Sequence, residues 1–276
     1  MSVIVPDFLI IGAMKAGTTT LYRDLAAHPE LFLPEEKEPE CLVRHGNDAR
    51  AVARDYKSLF AAAGSDRLKG EASTAYAKRP DHEGVAEMAR RVCGPLLKVI
   101  YITRDPIERI ISQYRHEFGL GEVVEDIDTA VLKYARYVNY SRYDWQLEPW
   151  LQIFGGSQVL VVPFETYVAN RTEIARQICT FLGANPASLP EIDSERAFNA
   201  NEGKLIPAGP WKRLVGSRFY QRTIKPMLAQ SLREEVARRV LSPAQASEGR
   251  LAPVTAQALL DQLRLKPASR ITESQK

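Results

Sequence analysis

The chain has 276 residues, of which 45% are hydrophobic and 26% charged, and its formal net charge is +3. This composition is ordinary for a globular protein, and the length suffices for one large hydrophobic core. This net positive charge is too small to indicate a protein that binds nucleic acid over a large surface. The three cysteines are far apart and lack metal-ligand spacing, so neither a disulfide framework nor a zinc site is indicated. We expect no nucleic-acid partner.

The N-terminal segment carries no basic region, and its first apolar run, Phe8–Gly12, is far shorter than the core of a signal sequence or a membrane span. We therefore expect a cytoplasmic protein without a membrane span. No internal repeat is present, which predicts one domain over residues 1–266, followed by a flexible polar tail at 267–276.

Short apolar runs alternate with helical patterns along the chain. Strands are predicted at 8–11, 96–102 and 159–162. Helices are predicted at 18–27, 51–63, 81–92, 106–118, 126–137, 144–154, 171–182, 227–241 and 254–264, with a long loop at 205–216. This alternation predicts an α/β, P-loop-like three-layer fold with a central parallel sheet flanked by helices, and ligands at the carboxyl ends of its strands.

The segment Gly12–Thr20, with the sequence GAMKAGTTT, lies between the first predicted strand and the first predicted helix. Such a segment is typical of an anion site, in which backbone N–H groups and the helix dipole face a phosphate. A Walker A loop would place a lysine directly after the second glycine, but Thr18 stands there and the lysine comes earlier, at Lys15. Because ATP-dependent phosphoryl transfer relies on that lysine, the loop indicates a donor other than ATP.

A second candidate anion site follows the predicted strand at 96–102. Arg104 stands at the end of this strand, beside the start of the next helix, and can bind a phosphate with two hydrogen bonds. Ser112 follows eight residues later. An ordinary ion pair with Asp105 or Glu108 is the alternative for Arg104. Two anion sites together predict a ligand that bears two phosphates.

Both motifs resemble those of sulfotransferases that use 3′-phosphoadenosine 5′-phosphosulfate (PAPS), in particular the heparan-sulfate type and its bacterial relatives. FLIIGAMKAGTTTLYRDLAAHPELFL, residues 8–33, is similar to their 5′-phosphosulfate loop, and YITRDPIERIISQYRHE, residues 101–117, to their 3′-phosphate motif. The segment at 199–213 resembles their basic loop more loosely, and the segment at 141–147 a family segment whose tyrosine region lines the site.

The resemblance implies a transferase that moves a sulfuryl group from PAPS to a hydroxyl or amine of a small-molecule or carbohydrate acceptor. Adenosine 3′,5′-bisphosphate would be the product, and no metal would be required. Lys15 would contact the leaving phosphate. The implied donor-site residues are Lys15, Ala16, Gly17, Thr18, Thr19, Thr20, Arg104, Ser112, Lys204 and Lys212, with Arg213 as a further candidate.

Transfer to a hydroxyl needs a base that accepts its proton. Glu38 lies in a Lys-Glu-Pro segment that holds the base in several relatives, and Glu71 lies in a second segment that supplies it in others. We favour Glu38. The alternatives are a solvent-exposed acid for Glu38 and an ion pair with Lys69 or Arg79 for Glu71. Next to both glutamates, the sequence differs from that of many relatives. The identity of the acceptor therefore does not follow from the resemblance.

Two other functions remain open. A P-loop small-molecule kinase would need a Walker lysine and a magnesium-binding carboxylate, and only Asp105 follows a predicted core strand suitably. A non-catalytic nucleotide-binding scaffold would keep the phosphate loop and lack a functional base. The acceptor and the oligomeric state do not follow from residue types.

Overall fold

The computed structural model describes residues 4–193, 205–207, 241–243 and 250–264. Their main sheet has five strands in the order β2-β3-β1-β4-β5, and all of its pairings are parallel. The strands are β1 Phe8–Gly12, β2 Leu31–Phe32, β3 Leu68–Ala72, β4 Lys98–Thr103 and β5 Val159–Pro163. A second sheet pairs β6, Leu205–Pro207, with β7, Leu241–Pro243, in antiparallel fashion.

Helices connect the strands of the main sheet. Those in the described ranges are α1 Thr18–Ala26, α2 Cys41–Arg44, α3 Ala49–Leu59, α4 Val85–Cys93, α5 Pro106–Leu120, α6 Ile127–Lys133, α7 Arg136–Asn139, α8 Tyr143–Phe154, α9 Phe164–Ala169, α10 Arg171–Leu182 and α11 Pro253–Arg264. Short 3₁₀ segments cover Thr74–Ala77 and Pro186–Ser188. Not one of the described helices has both the length and the apolar character that a membrane crossing requires. The predicted α/β three-layer fold is confirmed.

Strand β1 lies at the centre of the main sheet. Its five residues are all buried, and it pairs with β3 on one side and β4 on the other. A strand in this position contacts other parts of the protein on both faces, which explains why its sequence is an uninterrupted apolar run. The residue that follows β1 therefore leaves the sheet at the middle of its carboxyl edge.

A buried ion pair fixes α1 behind this edge. Asp24 of α1 accepts hydrogen bonds from Arg171 at 2.7 Å on each carboxylate oxygen and from the hydroxyl of Tyr167. Asp24 and Arg171 are both about 95% buried. Breaking such a pair leaves an uncompensated charge in the core, so the contact holds α1 firmly against α9 and α10.

Several predicted elements differ from the observed ones. The helix predicted at 126–137 is two helices, α6 and α7, because Tyr134 between them has an extended backbone. The predicted loop at 205–216 begins with β6, and its remainder lies outside the described residues. The predicted helix at 227–241 also lies outside the described residues, apart from its last residue. That residue, Leu241, begins β7. The predicted domain range and C-terminal tail stay predictions.

The close packing of β1 against β3 can be tested at Gly70. A Cβ atom there would lie 2.0 Å from Cζ of the buried Phe8 ring. We expect Gly70→Ala to lower the free energy of unfolding by about 1–3 kcal/mol, the usual effect of overpacking a core. Urea unfolding measures this change.

Gly156→Ala is the matched control, because a Cβ there has no heavy atom within 4 Å. Its effect should stay within about 0.5 kcal/mol. Equal stability of the two variants would contradict the described packing.

Candidate active site

The segment between β1 and α1, called the cradle below, leads into the open N-terminus of a helix. Gly17 precedes α1 in the left-handed conformation, with φ of 87°, and offers no side chain to the first turn of the helix. The first amide groups of a helix have no partner within it, so those of Thr18 and Thr19 can bind an anionic ligand. Ala13 N donates to Ile102 O at 2.8 Å, which fixes the segment to β4.

The structure brings Arg104 to this cradle. Its Nη1 atom donates to the carbonyl oxygen of Lys15 at 3.3 Å, although the two residues are 89 positions apart. Arg104 also makes the ion pair considered from the sequence, with Glu108 at 3.4 Å. The Glu108 side chain is 57% exposed, so this pair contributes little. The two candidate anion motifs therefore lie side by side.

Tyr143 at the start of α8 holds the backbone of Arg104. The Tyr143 hydroxyl donates to Arg104 O at 2.7 Å, and Arg104 N lies 3.4 Å from the same hydroxyl. The Tyr143 ring packs edge-on against Tyr101, with 5.9 Å between centroids. Burial raises the pKa of Tyr143 to about 12, so the hydroxyl remains a donor at neutral pH. In the sequence, only the resemblance of residues 141–147 to a family segment relates this tyrosine to the site.

Phe164 fills the space between the two motifs. The Arg104 guanidinium lies over its ring, 5.2 Å from the centroid. On the other side, a Cβ atom at Gly17 would lie 2.5 Å from Cε2 of Phe164. The next residue, Glu165, accepts a hydrogen bond from Asp105 N at 3.0 Å. The β5–α9 junction thus supports both motifs, which no local sequence pattern could have shown.

Glu38 presents a carboxylate that is partly open to solvent. Its side chain is 32% exposed and forms an ion pair with Lys37. Its Oε2 atom accepts hydrogen bonds from Thr74 N at 2.6 Å and from Thr74 Oγ1 at 3.2 Å, and its backbone N donates to Ala72 O at 2.9 Å. Glu38 is therefore held in one orientation and remains accessible.

Glu71 of β3 is fully buried instead. Its Oε1 atom accepts hydrogen bonds from the hydroxyls of Tyr56 at 3.0 Å and Tyr76 at 2.5 Å, and its Oε2 atom accepts one from Ser73 Oγ at 2.8 Å. Burial raises the pKa of Glu71 to about 7, although the three hydroxyl donors oppose that shift. A carboxylate enclosed in this way has no open side for an acceptor.

The ion pairs considered for Glu71 do not form among the described residues. Lys69 pairs with Asp7 at 3.9 Å, and Arg79 pairs with Glu83 and Glu148. Hydrogen bonds from hydroxyl groups, rather than ion pairs with cations, compensate the burial of the Glu71 carboxylate.

The other predicted donor-site residues are placed as follows. Ala16 is buried within the cradle segment, and Thr19 and Thr20 lie half-buried in the first turn of α1. Ser112 lies half-buried on α5. Lys204, Lys212 and Arg213 lie outside the described residues. Over the described ranges, we find no cluster of three or more His, Cys, Asp or Glu side chains that could hold a metal ion.

Tyr143→Phe tests how Arg104 is held. The change removes the hydroxyl that contacts the Arg104 backbone and keeps the ring. We expect affinity for adenosine 3′,5′-bisphosphate to fall about threefold to tenfold, the usual net contribution of one hydrogen bond, and affinity for adenosine 5′-phosphate to stay unchanged. Calorimetric titration measures both.

The control for this change is Tyr140→Phe, which removes a hydroxyl bonded to Asp81 instead. It should leave both affinities unchanged. If Tyr143→Phe weakened the two nucleotides equally, its hydroxyl would not act through Arg104.

Comparison with known proteins identifies the family. A family model described as "Sulfotransferase domain" matches residues 5–204. Carbohydrate sulfotransferase 15 of Homo sapiens is 23% identical, over 83% of this chain and 54% of the relative. Heparan sulfate glucosamine 3-O-sulfotransferase 3B1 of Mus musculus is 26% identical, over 73% of this chain and 51% of the relative. This chain thus spans about half the length of these two curated relatives.

A solved structure agrees with this match. The sulfotransferase from Alicyclobacillus acidocaldarius superposes with a TM-score of 0.60 at 25% identity, over 71% of this chain and 87% of that chain. Since the family model covers well over half of the residues, the chain belongs to the sulfotransferase family.

Proposed function

We propose that this protein transfers a sulfuryl group from PAPS to a hydroxyl or amine of a carbohydrate or small-molecule acceptor. The contact between Arg104 and the carbonyl oxygen of Lys15, at 3.3 Å, carries this proposal. It brings a guanidinium beside the open first turn of α1, so one ligand with two anionic groups can contact both. PAPS has this chemistry, with a phosphosulfate at its 5′ position and a phosphate at its 3′ position.

The groups around the cradle suit such a donor. Helix amides and threonine hydroxyls donate hydrogen bonds to phosphate oxygens, and an arginine binds a phosphate with two parallel hydrogen bonds. We assign the 5′ end to Lys15, Gly17, Thr18 and Thr19, and the 3′ end to Arg104, with Ser112 as a further contact. The roles of Lys204 and Lys212 stay predictions.

The reaction needs three contributions from the protein. When bound, PAPS supplies the sulfuryl group on a phosphate leaving group. The cradle and Arg104 orient the donor, Lys15 stabilises the negative charge on the departing phosphate oxygen, and Glu38 accepts the proton of the attacking hydroxyl. The two hydrogen bonds from Thr74 aim the Glu38 carboxylate before the acceptor arrives.

The acceptor class comes from the relatives, whose names specify carbohydrate and heparan sulfate glucosamine. We therefore favour a carbohydrate acceptor over other hydroxyl compounds. The cytoplasmic location and the independence from metal ions stay predictions.

Nucleotide binding tests the donor assignment. We expect adenosine 3′,5′-bisphosphate to bind tightly without metal, and Arg104→Ala to weaken it by about tenfold to 150-fold, as expected when a hydrogen bond to a charged group is lost. Arg115→Ala, which alters an exposed arginine on α5, is the control and should change nothing. Calorimetry with the bisphosphate and with magnesium-ATP gives the comparison. A preference for magnesium-ATP would reject the sulfotransferase proposal in favour of the kinase.

Glu38→Gln tests the base. The amide keeps the size of the side chain but cannot accept the proton, so we expect kcat to fall by about 10²–10⁴ while bisphosphate affinity stays unchanged. The assay is transfer of radiolabelled sulfur from PAPS to a panel of desulfated glycosaminoglycans and phenols. The control is Glu36→Gln, an exposed acid two residues earlier. A wild-type rate in Glu38→Gln would show that another group is the base.

A further inference from the structure

We infer that Glu71 is a positioning residue, which holds the segment carrying Glu38 through the hydroxyls of Ser73 and Tyr76. This inference rests on the proposed function, because it takes Glu38 as the base. It assigns the second glutamate a role in aiming the first one rather than in accepting the proton.

The two hydroxyls connect Glu71 to the backbone of this segment. Ser73 Oγ donates to Glu71 at 2.8 Å and accepts a hydrogen bond from Glu40 N at 3.0 Å. Tyr76 OH donates to Glu71 at 2.5 Å and accepts one from Leu42 N at 3.2 Å. A hydroxyl has one proton and two lone pairs. Since each proton is directed to Glu71, the lone pairs face the backbone N–H groups of the segment.

The segment at 38–42 needs such external contacts. Glu38 and Glu40 have φ values of 60° and 55°, in the left-handed region that residues other than glycine rarely adopt. Such a backbone conformation is strained and persists only where surrounding contacts impose it. Glu71 supplies two of these contacts through Ser73 and Tyr76. The Thr74–Glu38 and Glu38–Ala72 hydrogen bonds add to them.

The burial of Glu71 also distinguishes its positioning role from the role of Glu38 as the base. Its side chain has no exposed surface, and three donors occupy its oxygens. An unpaired carboxylate would be very costly at this depth, and the three hydroxyls compensate it. Glu38 faces solvent with 32% of its side chain exposed. An acceptor hydroxyl can therefore approach Glu38 and is kept from Glu71 by the packed aromatic rings.

Two variants that each remove one donor from Glu71 test the inference. Ser73→Ala removes a donor and also releases Glu40 N–H. Tyr56→Phe is the matched control, since the Tyr56 hydroxyl lies within hydrogen-bond distance of Glu71 and Tyr76, and in the described part of the chain it forms no hydrogen bond with residues 38–42. We expect Ser73→Ala to lower kcat by about tenfold to 100-fold, the cost of a base displaced by up to 1 Å, and Tyr56→Phe to change it less than about threefold. Bisphosphate affinity should stay unchanged in both.

Amide hydrogen exchange gives a second readout that does not need transfer activity. We expect the Glu40 amide to exchange at least about tenfold faster in Ser73→Ala and at the wild-type rate in Tyr56→Phe, because exchange follows local opening. A wild type that transfers no sulfuryl group would reject the proposed function, while the exchange rates would still decide whether Ser73 holds the segment.

Two results would overturn the inference. Equal loss of kcat in the two variants, with unchanged exchange at Glu40, would make Glu71 an ordinary part of the core. Loss of transfer in a folded Glu71→Gln variant, with Ser73→Ala unaffected in both rate and exchange, would make Glu71 the base.

Discussion

The contact between Arg104 and the carbonyl oxygen of Lys15 is the constraint on which the site depends. It follows from the parallel pairing of β1 and β4, which directs both strands toward the same edge of the sheet. A hydrogen bond from Ala13 N to Ile102 O fixes the distance between the two exits. Tyr143 and Phe164 then hold Arg104 from the other sides. These contacts hold the two candidate anion sites side by side.

The strand order also arranges the remaining chemistry. Across β3, β1 and β4, the carboxyl edge of the sheet carries in turn the Glu38 contacts, the β1–α1 cradle and Arg104. Glu38, the proposed base, therefore lies on the opposite side of the cradle from Arg104, and we propose that the acceptor approaches from that side. Holding Glu38 there costs stability, because the chain accepts positive φ values and the buried carboxylate of Glu71. The packing of the surrounding structure must offset this cost.

The elements that flank the two candidate anion motifs could be predicted from the sequence. Strand β1 has a continuous apolar run, and α5 has an aspartate and a proline at its start, so the elements that carry both anion motifs were clear. Strand β3 was not predicted, because its sequence LKGEA contains a lysine, a glycine and a glutamate that is nevertheless buried. The contributions of Tyr143 and Phe164 depend on packing between distant segments. The choice between Glu38 and Glu71 depends on burial, which residue types do not reveal.

A crystal structure of the protein with adenosine 3′,5′-bisphosphate would test whether the cradle and Arg104 bind one ligand together. We expect the 5′-phosphate to lie against the first-turn amides of α1 and the 3′-phosphate to lie on the guanidinium of Arg104, with Glu38 facing the 5′ end. A ligand bound elsewhere, or one whose 3′-phosphate lies away from Arg104, would contradict it.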